Sequence, residues 1–307
     1  VALPQMRRYR YDDGLASGVI AAGGTLGILI PPSVILVLYG VTAQQDIARL
    51  FIAGVVPGAL GILGYMAAVR IVCWLNPKAG PPAERMSYRE RFAALKGVTG
   101  ILALFALVIG GIYAGVFTAT EAAGIGASGA FLIALARRRL TWSTLLETLA
   151  DTAATTTMMF MVLIGALVFS SFVNIAGLPA ALSDMARASE LPPQAILALV
   201  LVVYLFLGMV LESLSMVLLT VPIFAPVMAA LGFDLVWFGI VVVVVTEISL
   251  ITPPVGLNVF VLKTVMPDVP MGTIFRGIVP FVLADVVRLA LIASIPALVL
   301  FLPDMMN

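Results

Sequence analysis

Five stretches of this chain are long, apolar and unbroken: Leu50–Leu75, Val98–Phe117, Ala119–Ala136, Ala153–Ala176 and Ile278–Leu302. Crossing the ~30 Å hydrocarbon layer of a bilayer takes roughly 20 apolar residues in a helix. A helix also satisfies its own backbone polar groups, as a segment in lipid must. Only 11% of the 307 residues are charged, and the mean hydropathy is +1.15. A soluble domain carries about 25% charged residues, so this chain cannot cover a water-exposed surface of its size. It is expected to be all-α and integral to a lipid bilayer.

Other classes fall away on composition. With no histidine, the chain has no imidazole for base catalysis or metal binding, and its single cysteine, Cys73, cannot form an internal disulfide. Lys plus Arg is 17 against 16 acids, which leaves no basic field for nucleic acid.

Three further apolar runs are interrupted. Leu15–Val41 contains Gly23-Gly24 and Pro31-Pro32, and it is expected to break at both. Leu235–Lys263 breaks at Thr252-Pro253-Pro254. Ala195–Leu231 is too long for one crossing and holds Glu212, Ser213 and Ser215 at its middle.

Charge sets the orientation. Arg7, Arg8 and Arg10 precede the first broken run. The connector Asn76–Gly97 nets +3, from Lys78, Arg85, Arg89, Arg91 and Lys96 against Glu84 and Glu90. Arg137-Arg138-Arg139 follow Ala119–Ala136. The positive-inside rule places all three on the cytoplasmic side. The neutral or acidic connectors Thr42–Arg49, Gly177–Gln194 and Gly232–Asp234 then fall outside. The sides alternate only if Ala195–Leu231 makes no net crossing, as a re-entrant hairpin turning near Glu212–Ser215. Two ordinary spans of about 17 residues each give the same topology.

The chain also repeats itself. Pro31-Pro32 corresponds to Pro253-Pro254 at an offset of 222, and Gly54–Pro57 to Gly277–Pro280 at 223. Trp74–Pro77 answers Phe301–Pro303 after one more small gap. From the assigned sides the two copies point in opposite directions, and inverted repeats with broken helices are a signature of secondary transporters. The organisation expected is a first copy, incomplete, at residues 1–77, a basic connector at 78–97, and a second copy at 98–307. Within the second copy lie helices 98–117, 119–136 and 153–176, the hairpin 195–231, the broken helix 235–263 and helix 278–302. The second copy has 253 − 98 = 155 residues before its Pro-Pro and the first only 30, so the sequence reads as a fragment lacking about 125 residues of its first copy.

The breaks carry the candidate chemistry. Around the first lie Gly24, Thr25, Gly27, Pro31, Pro32 and Ser33. Carbonyls freed by proline, with a hydroxyl, suit a hard cation such as Na⁺, and half-helix N-termini suit an anion. A proline kink packed against its neighbours is the structural alternative. The second break offers Ser249, Thr252, Pro253, Pro254, Gly256 and Asn258. Glu247, just over a turn earlier, either faces a cavity or pairs with Arg288. Glu212, with Ser213 and Ser215 at the hairpin turn, either presents oxygens to an ion or caps the following helix. Thr118 or Thr120 with Glu121 reads as ordinary helix capping, and Asp285 with Arg288 as a pair on one helix. Arg70 is expected to snorkel, and Thr141–Asp151 to form a short amphipathic stretch at the interface.

GGTLGILIPPS, Tyr113–Ala123 (YAGVFTATEAA), Leu211–Val227 (LESLSMVLLTVPIFAPV) and Glu247–Phe260 (EISLITPPVGLNVF) together resemble the large membrane subunit of tripartite ATP-independent periplasmic (TRAP) transporters. The resemblance runs through essentially the whole chain in order. It implies an elevator-type transporter of the bacterial inner membrane, with no enzymatic activity and no cofactor. Such a transporter takes up organic anions such as C4-dicarboxylates or sialic acid, with Na⁺ as coupling ion. It also implies a small membrane subunit and a periplasmic substrate-binding protein as partners. Ion sites would form where a hairpin tip meets a break: Gly27 and Ser33 on one side, and Ser215, Thr252, Gly256 and Asn258 on the other. Family members often carry Asn two residues before the acid, where this chain has Val245. A stand-alone ion-coupled anion transporter is the alternative of similar architecture. A channel would instead show a continuous polar lining, and an intramembrane hydrolase lacks His and any evident Ser–Lys pair.

Overall fold

A computed structural model describes residues 2–82, 87–95 and 97–305. Glu84, Arg85 and Lys96 of the basic connector lie outside the described residues. The chain forms sixteen helices among the described residues, with no strand. In order these are α1 (Ala2–Arg8), α2 (Asp13–Leu29), α3 (Val34–Ala43), α4 (Ile47–Ala53), α5 (Val55–Leu75), α6 (Tyr88–Leu95), α7 (Thr99–Tyr113) and α8 (Ala119–Ala136). They continue with α9 (Trp142–Ile175), α10 (Leu178–Ala188), α11 (Pro193–Val210), α12 (Ser213–Ala230), α13 (Leu235–Ile251), α14 (Leu257–Val265), α15 (Met271–Ser294) and α16 (Ala297–Asp304). Six stretches are long and apolar enough to cross a membrane, or seven if α2 and α3, bent by 41°, count as one.

The chain divides into two compact units: Val1–Pro82 with Val168–Asn307, and Ala83–Leu167. In the smaller, α7 packs on α8. α8 starts with a capping box, in which Thr118 Oγ1 accepts from Glu121 N and Glu121 Oε2 accepts from Thr118 N at 2.9 Å. Thr118→Ala is expected to cost about 1 kcal/mol, read as roughly fivefold lower hydrogen-exchange protection in the first turn of α8. Unchanged protection there would contradict the cap. The stretch at Thr141–Asp151 is not a separate short helix but the first part of a longer one. α9 runs on for 34 residues from Trp142, because nothing before Gly165 interrupts it. Thr148, Thr152 and Thr157 each return a hydrogen bond to the carbonyl four residues back, at 2.7–2.8 Å.

The larger unit is built around α13, whose residues from Val236 to Ile251 are all buried. The repeat reappears here in the element boundaries. α2 and α13 are both 17 residues, offset by 235 − 13 = 222 and 251 − 29 = 222. Both are N-capped by an aspartate at the same place: Asp12 accepts from Gly14 N and Leu15 N, and Asp234 from Trp237 N. The Pro31-Pro32 and Pro253-Pro254 bonds that follow are cis.

Contacts at the helix ends define two levels. Near the start of α2, Asp12 N donates to Ala79 O, and Arg7 bridges Asp13 at 2.9 Å and Asp268 at 2.6 Å. That pairing holds the Asp268 carboxyl below its usual range. At the start of α13, by contrast, Leu235 O accepts from the Tyr39 hydroxyl of α3 at 2.6 Å. α2 and α15 cross with their backbones in contact at Gly14, Gly18 and Gly277. Small residues at such spacing let membrane helices approach closely.

The expected break at Gly23-Gly24 does not occur; α2 runs through both glycines. Glycine in a helix costs about 1 kcal/mol but keeps its N–H donor. Proline removes the donor and clashes with the preceding turn, so the chain breaks only at Ile30–Ser33.

Candidate ion and substrate site at the helix breaks

At the first break, Ser33 is both a donor and a cap. Its hydroxyl donates to Ile28 O and accepts from Leu36 N at 3.3 Å. Pro31 is buried and Pro32 exposed beside it. Thr25 is not part of the opening: it is buried inside α2, donating to Ala22 O at 2.8 Å. Gly24 and Gly27 are exposed, and a Cβ at either would meet nothing within 4 Å.

The second break shares the Pro-Pro pair and a hydroxyl bonded to the preceding helix, and otherwise differs. Thr252 Oγ1, just before its Pro-Pro pair, donates to Ile248 O at 2.5 Å, whereas Ser33 stands just after its own pair. Both hydroxyls therefore spend their proton on the preceding helix and keep lone pairs for another partner. Pro253 and Pro254 are exposed. Gly256 then takes φ +62°, a left-handed conformation that favours glycine, and caps α14 with no side-chain hydrogen bond. The first N–H groups of α14, next to half-buried Asn258, are thus left without the side-chain acceptor that Ser33 supplies to α3. An uncapped helix N-terminus favours an anion.

α11 and α12 meet at Leu211-Glu212. Glu212 Oε2 accepts from Leu214 N at 3.0 Å and Ser215 N at 3.2 Å, and its Oε1 accepts from Ser213 Oγ at 2.9 Å. Its carboxylate is a helix cap, one of the two roles read from the sequence. Ser249 does not face the break: it donates to Thr246 O at 2.7 Å and packs where a Cβ on Gly208 would stand. Gly208 lies three residues before the α11–α12 turn and Ser249 three before Thr252, so this contact brings the turn to the level of the break.

Glu247 is fully buried and bonded to the Arg288 guanidinium. Asp285 Oδ1 lies 2.9 Å from the same Arg288 nitrogen, without hydrogen-bond alignment. Tyr65 donates to Asp285 Oδ2 at 2.6 Å. The Asp285–Arg288 pair follows from three-residue spacing on one helix. Tyr65 was missed, because a phenol on α5 carries no sequence signal for a partner 220 residues away. Among the described residues, no group of three or more His, Cys, Asp or Glu could hold a metal.

Broken helices, hydroxyls at matching breaks and a polar turn at the same level, within an all-helical apolar fold, define a membrane transport protein. Residues 1–298 match the family described as "Tripartite ATP-independent periplasmic transporter, DctM component". The C4-dicarboxylate TRAP transporter large permease protein DctM of Pseudomonas aeruginosa is 35% identical over 305 residues, 99% of this chain and 71% of the relative. The sialic acid TRAP transporter large permease protein SiaM of Vibrio cholerae is 36% identical over 304 residues, 99% of this chain and 70% of the relative. The 2,3-diketo-L-gulonate TRAP transporter large permease protein YiaN of Escherichia coli is 31% identical, covering 97% and 70%. The chain belongs to the DctM component family of TRAP transporters, as a multi-pass protein of the bacterial inner membrane.

Proposed function

We propose that the chain is the permease part of a Na⁺-coupled importer of small organic carboxylates. A periplasmic binding protein hands over the substrate, and a small membrane subunit completes the assembly. The observation that carries this reading is the pair of matching breaks, each with a hydroxyl bonded back to the preceding helix. Na⁺ sits at these breaks, at Gly27 and Ser33 in one and at Ser215, Thr252, Gly256 and Asn258 in the other. The uncapped start of α14 favours the carboxylate. α11–α12 acts as a re-entrant hairpin, and the two copies as an inverted repeat. Support for the inversion comes from α2 starting at the level of Ala79 and Asp268, while α13 starts beside Tyr39. The carboxylates named for the relatives, C4-dicarboxylates and sialic acid, are the first substrates to try.

Uptake into proteoliposomes holding the intact permease and its small subunit tests the reading. Each carboxylate is offered with Na⁺ or K⁺ outside, with and without the binding protein. Uptake requiring both Na⁺ and the binding protein is expected. Uptake indifferent to Na⁺ would remove the ion sites, and uptake without the binding protein would make it a stand-alone transporter. Thr252→Ala and Ser215→Ala are each expected to raise the half-saturating Na⁺ about tenfold, since one bond to a charged partner contributes about 1.5 kcal/mol or more. Unchanged Na⁺ dependence in both would move the ion elsewhere.

A further inference from the structure

Arg288 sits between the two breaks rather than beside one. On one side it bonds Glu247, just over a turn before Thr252 on α13. On the other, its Nη1 occupies the space a Cβ on Gly61 would need, 2.3 Å away, and Leu26 Cδ2 shares that space at 2.6 Å. Leu26 is one turn before Ile30, where α2 ends. The offset gives 25 + 222 = 247, so Glu247 holds in the second copy the place of Thr25, the neighbour of Leu26, in the first. A single guanidinium therefore reaches the same level of both copies.

Its surroundings fix it only in part. Tyr65 holds Asp285, and Asp285 flanks Arg288. Yet Arg288 Nε and Nη1 and Glu247 Oε1, all buried, have no hydrogen-bond partner among the described residues. A planar fork with unused donors beside an unused acceptor has a second set of bonds available, and energetic coupling needs an element with two discrete arrangements. A buried ion pair also resists separation, because a stripped charge costs several kcal/mol. Movement of either helix end must therefore be followed by the guanidinium.

We propose that Arg288 is a positioning residue that couples ion binding at the two breaks, so that filling one raises the affinity of the other. The proposal rests on the Na⁺-coupled reading above. Two coupled sites give a Hill coefficient for Na⁺ approaching about 2, and uncoupled ones about 1. The test is the Na⁺ dependence of uptake by the intact permease with its small subunit and binding protein, compared with Arg288→Lys, Glu247→Gln and Tyr65→Phe. The lysine keeps the charge but not the fork. The expected result is a steep wild-type curve that flattens toward about 1 in Arg288→Lys and Glu247→Gln, with half-saturating Na⁺ raised about fivefold or more. Tyr65→Phe, which leaves every charge in place, flattens it partly and carries the test with Glu247→Gln if the lysine variant does not fold. Wild-type steepness in the folded variants overturns the proposal, as does a loss confined to the amount of folded protein. A Na⁺-dependent wild type with a Hill coefficient of about 1 overturns it and leaves the function intact. A wild type without Na⁺ dependence removes both.

Discussion

Arg288→Met is expected to destabilise the permease by about 3–5 kcal/mol, the usual cost of breaking a buried pair by removing one partner. Glu247 and Asp285 would remain as two carboxylates in the interior, with the Tyr65 hydroxyl on Asp285 and the Leu29 backbone N–H beside Glu247 as their donors. Burial leaves water no access to either, and the attraction that offsets their desolvation is gone. The triple variant Glu247→Gln, Asp285→Asn, Arg288→Met removes the charges together and is expected to recover most of the loss. Unfolding in detergent, followed by thermal or denaturant midpoint, checks both. A single variant within about 1 kcal/mol of wild type would mean that the cluster is hydrated rather than dry.

Gly277→Ala is expected to be nearly as damaging. A Cβ there would stand 1.8 Å from Gly14 O and 2.4 Å from Gly14 C, and one on Gly18 would stand 2.1 Å from Gly277 O. These are backbone atoms that no rotamer change can clear, so α2 and α15 must separate. Overpacking of this kind costs about 1–3 kcal/mol or more, and it loosens the crossing that sets Arg288 against α2. Gly272→Ala on the same helix meets nothing within 4 Å; it should be neutral, or stabilising by up to about 1 kcal/mol. Equal midpoints for the two variants would contradict the close crossing.

What could be read from the sequence was set by how local each signal is. The proline breaks and the 222-residue offset were legible because proline acts on its own turn and the repeat is a comparison of the chain with itself. The Thr118–Glu121 box and the Asp285–Arg288 pair were legible for the same reason, each spanning three residues. Gly23-Gly24 misled because glycine lowers helix propensity without removing a donor, and neighbours then decide. The continuous start of α9 was not legible because its threonines satisfy their hydroxyls on their own helix. Ser249 and Thr25 were legible as polar residues near a break but not in direction, since a shift of one or two residues, about 100–200° around the helix, separates a cavity from a helix interface. The bond between Glu247 and Arg288 spans 41 residues; the sequence offered that partner beside an open cavity, and only packing could choose.

The repeat has a further consequence at Arg288. The offset of 223 that aligns α5 with α15 gives 288 − 223 = 65, so Arg288 and Tyr65 are twins that now flank the same carboxylate. In a symmetric pair of identical copies, a residue near the axis faces its own image. Two of the second copy would bury two arginines among four carboxylates, and two of the first would bury two phenols with no acid between them. Thr25, Ile62 and Tyr65 stand in the first copy where Glu247, Asp285 and Arg288 stand in the second, so the asymmetric cluster needs copies that differ at three positions. Divergence between the two copies therefore allows an interior chemistry that one copy paired with itself could not hold.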